Sequence, residues 1–181
     1  MKKVLIYAIF LLALTLLQTN FVQGIAIFDV KPNLLIAFII VVGLTNGSRI
    51  GAVVGFISGL IMDSYSSSPV GIYMLLGMLL GMLSGATNKN FFRDNYILTI
   101  VFAFVYTMLF ETVAYFFVLA PISWSDGIGS VLINLFVSYK NFILIEAVYA
   151  IPFACALHFL SFKFLVGLNK EGRRMKYRRG Y

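Results

Sequence analysis

Apolar residues run almost unbroken through 4–22, 34–44, 50–62, 70–86, 96–120 and 142–166, and polar residues gather between these runs. Uninterrupted stretches of this kind predict helices that are apolar all round, not alternating strands or the striped helices of a soluble domain. A straight bilayer crossing needs about 20 residues, and 34–44 and 50–62 are each shorter than that. Thr45-Asn46-Gly47-Ser48-Arg49 separates those two runs. The first run follows Lys2 and Lys3, as the core of a signal peptide would. No small-residue cleavage site follows it beyond a weak Gly24-x-Ala26, and polar Gln18, Thr19 and Asn20 close it. It is read as a retained first span.

Segment 121–139 has a different pattern. Ile128, Val131, Leu132, Leu135, Phe136 and Tyr139 form one helical stripe, with Ser130, Asn134 and Ser138 off it. Ser125 or Asp126 is placed to cap such a helix, and Trp124 sits where an interfacial aromatic belongs. The stripe predicts a helix over about 127–139 lying on the outer membrane surface. A re-entrant or amphipathic core helix is the alternative.

Composition narrows the class. Hydrophobic residues make up 61% of the 181 residues and charged ones 12%, where a soluble domain averages about 45–50% and 25%. The mean hydropathy is +0.95. Fourteen basic and seven acidic side chains cannot keep the surface of a soluble globule wet. That excludes a soluble enzyme, and a single cysteine excludes a disulfide scaffold. The net charge of +7 would suggest nucleic acid in a soluble protein. Here the basic residues lie between and after the apolar runs, a distribution that reads as topology and not as a nucleic-acid surface.

Six spans with the amino end inside put Lys2, Lys3, Arg49, Lys89, Arg93, Lys163, Lys170, Arg173, Arg174, Lys176, Arg178 and Arg179 on the inner side, and only Lys31 and Lys140 outside. Five spans would place the basic carboxyl end outside, against the positive-inside rule. The expected architecture is therefore all-α and polytopic, in a cell membrane. A six-helix transmembrane domain occupies 1–169, a basic cytoplasmic tail 170–181, and both termini are cytoplasmic. The short 34–62 helices then need shielding by protein or a thinned bilayer. In the tail, Arg173, Arg174, Lys176, Arg178 and Arg179 either bind anionic lipid or serve only to set topology.

Glycine recurs at every fourth position at Gly43, Gly47, Gly51, Gly55 and Gly59, and again at Gly77, Gly81 and Gly85. Small residues four apart share a helix face and let backbones approach. Gly51, Gly55, Gly59, Gly77, Gly81 and Gly85 are thus candidates for close packing of the third and fourth spans on each other, or for a face that takes a partner. Three acids stand out. Asp63 ends the third span, where a carboxylate opposes the helix dipole unless something holds it. Glu111 and Glu146 lie inside the fifth and sixth spans, both in the outer half, where an acid must be neutralised, paired or wet. They mark either a functional cavity or a structural hydrogen-bonded pair. His158 and Cys155 lack the further ligands or orienting group that a metal or nucleophilic site needs. No phosphate loop or nucleotide fingerprint is present, and no cofactor is expected.

Lys31-Pro32-Asn33-Leu34-Leu35, the stretch from Gly51 through Gly55-Phe56-Ile57-Ser58-Gly59-Leu60-Ile61-Met62-Asp63 and the glycine eight residues beyond it, Gly71, resemble the bacterial rod shape-determining protein MreD family. The resemblance implies a non-enzymatic membrane component of the cell-elongation machinery. It further implies an MreC-like membrane partner, an MreB-like cytoplasmic filament and wall-synthesising enzymes as associates. The family's fold is similar to the substrate-binding subunits of energy-coupling-factor vitamin transporters, so a small-molecule-binding transporter subunit is the alternative function.

Overall fold

The computed structural model describes residues 2–20, 31–66, 70–87, 96–118, 129, 132–133, 136–137, 143–148 and 150–159. Its elements are helices: α1 (Lys2–Asn20), α2 (Leu34–Asn46), α3 (Ser48–Tyr65), α4 (Ile72–Ala86), α5 (Tyr96–Val118) and α6 (Leu144–Phe159). There is no strand among the described residues. By length and composition, the Thr99–Phe117 part of α5 is able to cross a membrane unaided; the apolar stretches Tyr7–Asn20, Leu34–Asn46, Ile72–Ala86 and Leu144–Phe159 are shorter.

Helix α2 forms the centre. Every residue from Leu34 to Leu44 is buried. Its 13 residues rise only about 20 Å at 1.5 Å per residue, short of a hydrocarbon core of about 30 Å. The protein itself covers this short helix along its apolar length. Asn33 caps its start, the side-chain oxygen accepting from the Ile36 N–H at 3.3 Å. At the other end, the Gly47 N–H donates to the Gly43 carbonyl at 2.8 Å. Gly47 has φ 89°, a left-handed backbone that glycine adopts without steric cost. The chain reverses there and α3 begins at once, so 34–62 is a tight helical hairpin.

Helix α1 is pinned to α2 at both ends. The Tyr7 hydroxyl donates to Asn46 Oδ1 at 2.8 Å. About three turns further on, Gln18 bridges the start of α2: its Nε2 donates to the Pro32 carbonyl at 3.1 Å, and its Oε1 accepts from the Leu34 N–H at 2.9 Å. Between these pins Phe10 stacks on Phe38, with ring centroids 6.4 Å apart. Helix α5 joins α4 at the far end from Asp63, where the Tyr106 hydroxyl donates to the Leu83 carbonyl at 3.3 Å and pairs with the Thr87 hydroxyl. Small buried residues bring α5 and α6 onto the centre: Ala103 and Ala154 cluster with Val41 of α2.

Most of the interfacial segment expected over about 127–139 lies outside the described residues. Within it, residues 129, 132–133 and 136–137 are helical, and Leu132, Ile133, Phe136 and Val137 are exposed. Lys89, Arg93, Lys140 and the basic tail 170–181, with Arg173, Arg174, Lys176, Arg178 and Arg179, also lie outside the described residues.

Candidate functional site

The two glycine series meet. Helices α3 and α4 run antiparallel, with Gly51 against Gly81, Gly55 against Gly77 and Gly59 against the backbone of Tyr73 and Met74. A Cβ on Gly55 would lie 2.6 Å from the Gly77 carbonyl carbon, and one on Gly59 would lie 2.6 Å from the Met74 Cα. Real Cβ contacts do not fall below 3.0 Å. Gly85 closes against Ser48 at the start of α3, and Gly43 of α2 comes up against Gly81 and Ser84. Three helices thus touch backbone to backbone. Such contact maximises dispersion and leaves no room for a side chain, which is how helices associate where lipid removes the hydrophobic drive between them. The chain itself fills this face.

Asp63 locks the other end of the same pair. Its side chain is 4% exposed and reaches across the 66–70 connection to the start of α4. Its carboxylate accepts three backbone N–H groups, from Gly71 at 3.0 Å, Tyr73 at 3.1 Å and Met74 at 3.0 Å. These are among the donors that a helix start leaves without intrahelical partners. Gly71, the residue before α4, has φ 104° and no side chain with which to cap, so Asp63 does so from α3. Each charge-assisted bond contributes about 1.5–3 kcal/mol, against about 0.3–1 kcal/mol for the unfavourable dipole at the end of α3. The cap wins, and the positive end of the α4 dipole adds to it.

Glu111 of α5 and Glu146 of α6, both half-buried, hydrogen-bond to each other through their side chains. Tyr73 joins this polar region from α4: its ring stacks on Phe110 at 6.2 Å and its hydroxyl hydrogen-bonds the Ser66 side chain. Thr107 and Tyr115 lie one turn to either side of Glu111 on α5. Their buried hydroxyls have no partner among the described residues. The region holds acids and hydroxyls and no basic side chain among these groups, and Asp63 is not free to join it because its oxygens are taken.

No group of three or more potential metal ligands occurs among the described residues. His158 is buried with Nδ1 3.2 Å from the Thr99 hydroxyl, a polar contact between α6 and α5, and Cys155 is half-buried on α6. Gln18, the Tyr7–Asn46 pair and the Tyr73–Ser66 pair were not singled out as site residues from the sequence. Gln18 did carry a signal, as a polar residue closing an apolar run.

The family model described as rod shape-determining protein MreD matches residues 1–166. No curated protein and no solved structure matches the chain. The likeness to energy-coupling-factor subunits therefore rests on the resemblance alone.

Proposed function

The chain belongs to the MreD family of rod shape-determining, helical membrane proteins, and from that premise we propose that it is a non-catalytic scaffold of the bacterial cell-elongation machinery. In this reading it crosses the cell membrane six times with both termini cytoplasmic. It holds an MreC-like membrane partner and, through the assembly, an MreB-like filament and the enzymes of peptidoglycan synthesis. The observation that carries the reading is the α3–α4 interlock. Because the glycines turn inward, the same two helices turn large apolar side chains outward: Phe56 and Leu60 on α3, Leu79 and Leu83 on α4, all exposed. A rigid pair with an outward apolar face is what a partner span packs against. The basic tail supplies contact with anionic lipid on the cytoplasmic side.

The experiment pairs co-purification from native membranes with cell shape. Replacing Phe56 and Leu60 by Ala should leave abundance unchanged, lose the MreC-like partner and give rounded cells. If that variant keeps both the partner and rod shape, the outward-face reading fails. Reporter fusions test the topology, and an external carboxyl tail would overturn the six-span arrangement. One observation favours the transporter alternative: the Glu111–Glu146 pair with unpartnered hydroxyls on either side. Under that reading the purified protein would retain a small vitamin-like ligand and co-purify with an energy-coupling ATPase.

A further inference from the structure

A groove of about 530 Å³ runs between α1 and α3. It exists because α1 is pinned to α2 at Tyr7 and Gln18 and so stands off from α3. Tyr7 and Leu12 line one wall; Val53 and Ile57 line the other. Leu12, Val53 and Ile57 are exposed. At one end of this apolar track stands Arg49, also a lining residue and exposed, with no ion-pair or hydrogen-bond partner among the described residues.

We propose that this groove is a lipid site, holding one acyl chain of an anionic phospholipid whose phosphate is bound by Arg49. Length selects the occupant. From Arg49 to Ile57 the track covers eight residues of helix, about 12 Å at 1.5 Å per residue. That is close to one leaflet of a hydrocarbon core about 30 Å thick. A partner's spanning helix would need an apolar track over the full thickness, in a channel about 10 Å wide. Charge selects the headgroup. A guanidinium at the mouth matches phosphate oxygens in a two-pronged hydrogen-bonded pair, and a cation with no partner among the described residues favours a net negative lipid over a zwitterionic one. The bound chain fills the gap between α1 and α3 and completes the packing of α1. The inference needs only that the chain sits in a bilayer, and it stands whether or not the protein serves cell elongation and whichever leaflet the mouth faces.

The test is native mass spectrometry of the full-length protein extracted from bilayers of mixed phosphatidylglycerol and phosphatidylcholine. The wild type should retain one phosphatidylglycerol in preference to phosphatidylcholine. Arg49→Gln, at an exposed position with no partner among the described residues, should fold normally and lower that retention about fivefold or more. Val53→Trp should fill the groove and remove lipid of either kind. Equal retention of the two lipids by the wild type would overturn the proposal, and so would undiminished phosphatidylglycerol on Arg49→Gln. If Val53→Trp keeps its lipid while losing a co-purified membrane protein, the groove is a protein-docking site and the proposal is wrong.

Discussion

A methyl group on Gly55 would strike the carbonyl oxygen of Gly77, and a methyl group on Gly77 would strike the carbonyl oxygen of Gly55. The clash is reciprocal because the two helices approach backbone to backbone. Backbone atoms cannot rotate aside as side chains do, so the cost of any added atom falls on the whole helix pair.

Gly55→Ala and Gly77→Ala should therefore each destabilise the protein by at least about 1–3 kcal/mol, the usual cost of overpacking. Leu79→Ala, at an exposed position on the outer side of α4, should change stability little in detergent. Thermal unfolding midpoints of the purified variants, read beside abundance in membranes, check the contrast. A normal midpoint for Gly55→Ala would contradict the interlock.

Removing the remote cap should cost at least about 3 kcal/mol in Asp63→Ala, since the N–H groups of Gly71, Tyr73 and Met74 all lose a charged acceptor and only the small dipole penalty of α3 is relieved. Asp63→Asn keeps one oxygen in place and should fall between that variant and the wild type. Hydrogen exchange at the first turn of α4 is the local readout, and exchange there should accelerate more in the Ala variant. Unchanged exchange in both would remove Asp63 from this role.

The carboxyl pair lends itself to a double-mutant cycle. Glu111→Gln preserves a donor and an acceptor toward Glu146 and should keep near-wild-type stability. Glu111→Leu leaves Glu146 without its hydrogen-bond partner and should destabilise, while adding Glu146→Leu should restore part of the loss. The coupling energy between the two Leu substitutions is expected at about 0.5–3 kcal/mol. Strict additivity would mean that the side chains do not interact.

Helix α1 should respond separately at its two pins. Tyr7→Phe removes one hydrogen bond, for about 1 kcal/mol. Gln18→Leu should cost more, because it strands both the Leu34 N–H and the Pro32 carbonyl. The pins are eleven residues, about 16 Å, apart on one helix, so the double variant should equal the sum of the singles within about 0.5 kcal/mol. Chemical unfolding of the three variants measures this directly.

How much of this was legible in the sequence depends on which atoms carry each contact. The every-fourth spacing marked Gly51, Gly55, Gly59, Gly77, Gly81 and Gly85 because helical period and residue size are both written in the chain. Spacing alone could not say whether that face took a partner or the protein's own backbone. Asp63 stood out as a misplaced charge, but its partners are main-chain amides, which every residue possesses and no residue type advertises. Glu111 and Glu146 were visible as acids within apolar runs; that they touch depends on how α5 packs on α6. The central position of α2 was hidden for a simpler reason: apolar residues facing lipid and apolar residues facing protein have the same composition. The groove beside Arg49 arises from a space that α1 leaves, and no residue pattern records a space.

The central helix also constrains the order in which the chain is put together. Leu34–Leu44 is buried on every side, and much of what covers it, from α3 to α6, is synthesised later. When α2 first leaves the ribosome its permanent neighbours do not exist. Its uniformly apolar surface makes lipid a tolerable waiting room until α3 folds back at Gly47 and the later helices close around it. In the six-span reading, biogenesis of this protein is a matter of enclosure, in which a helix first bordered by lipid ends covered by its own chain.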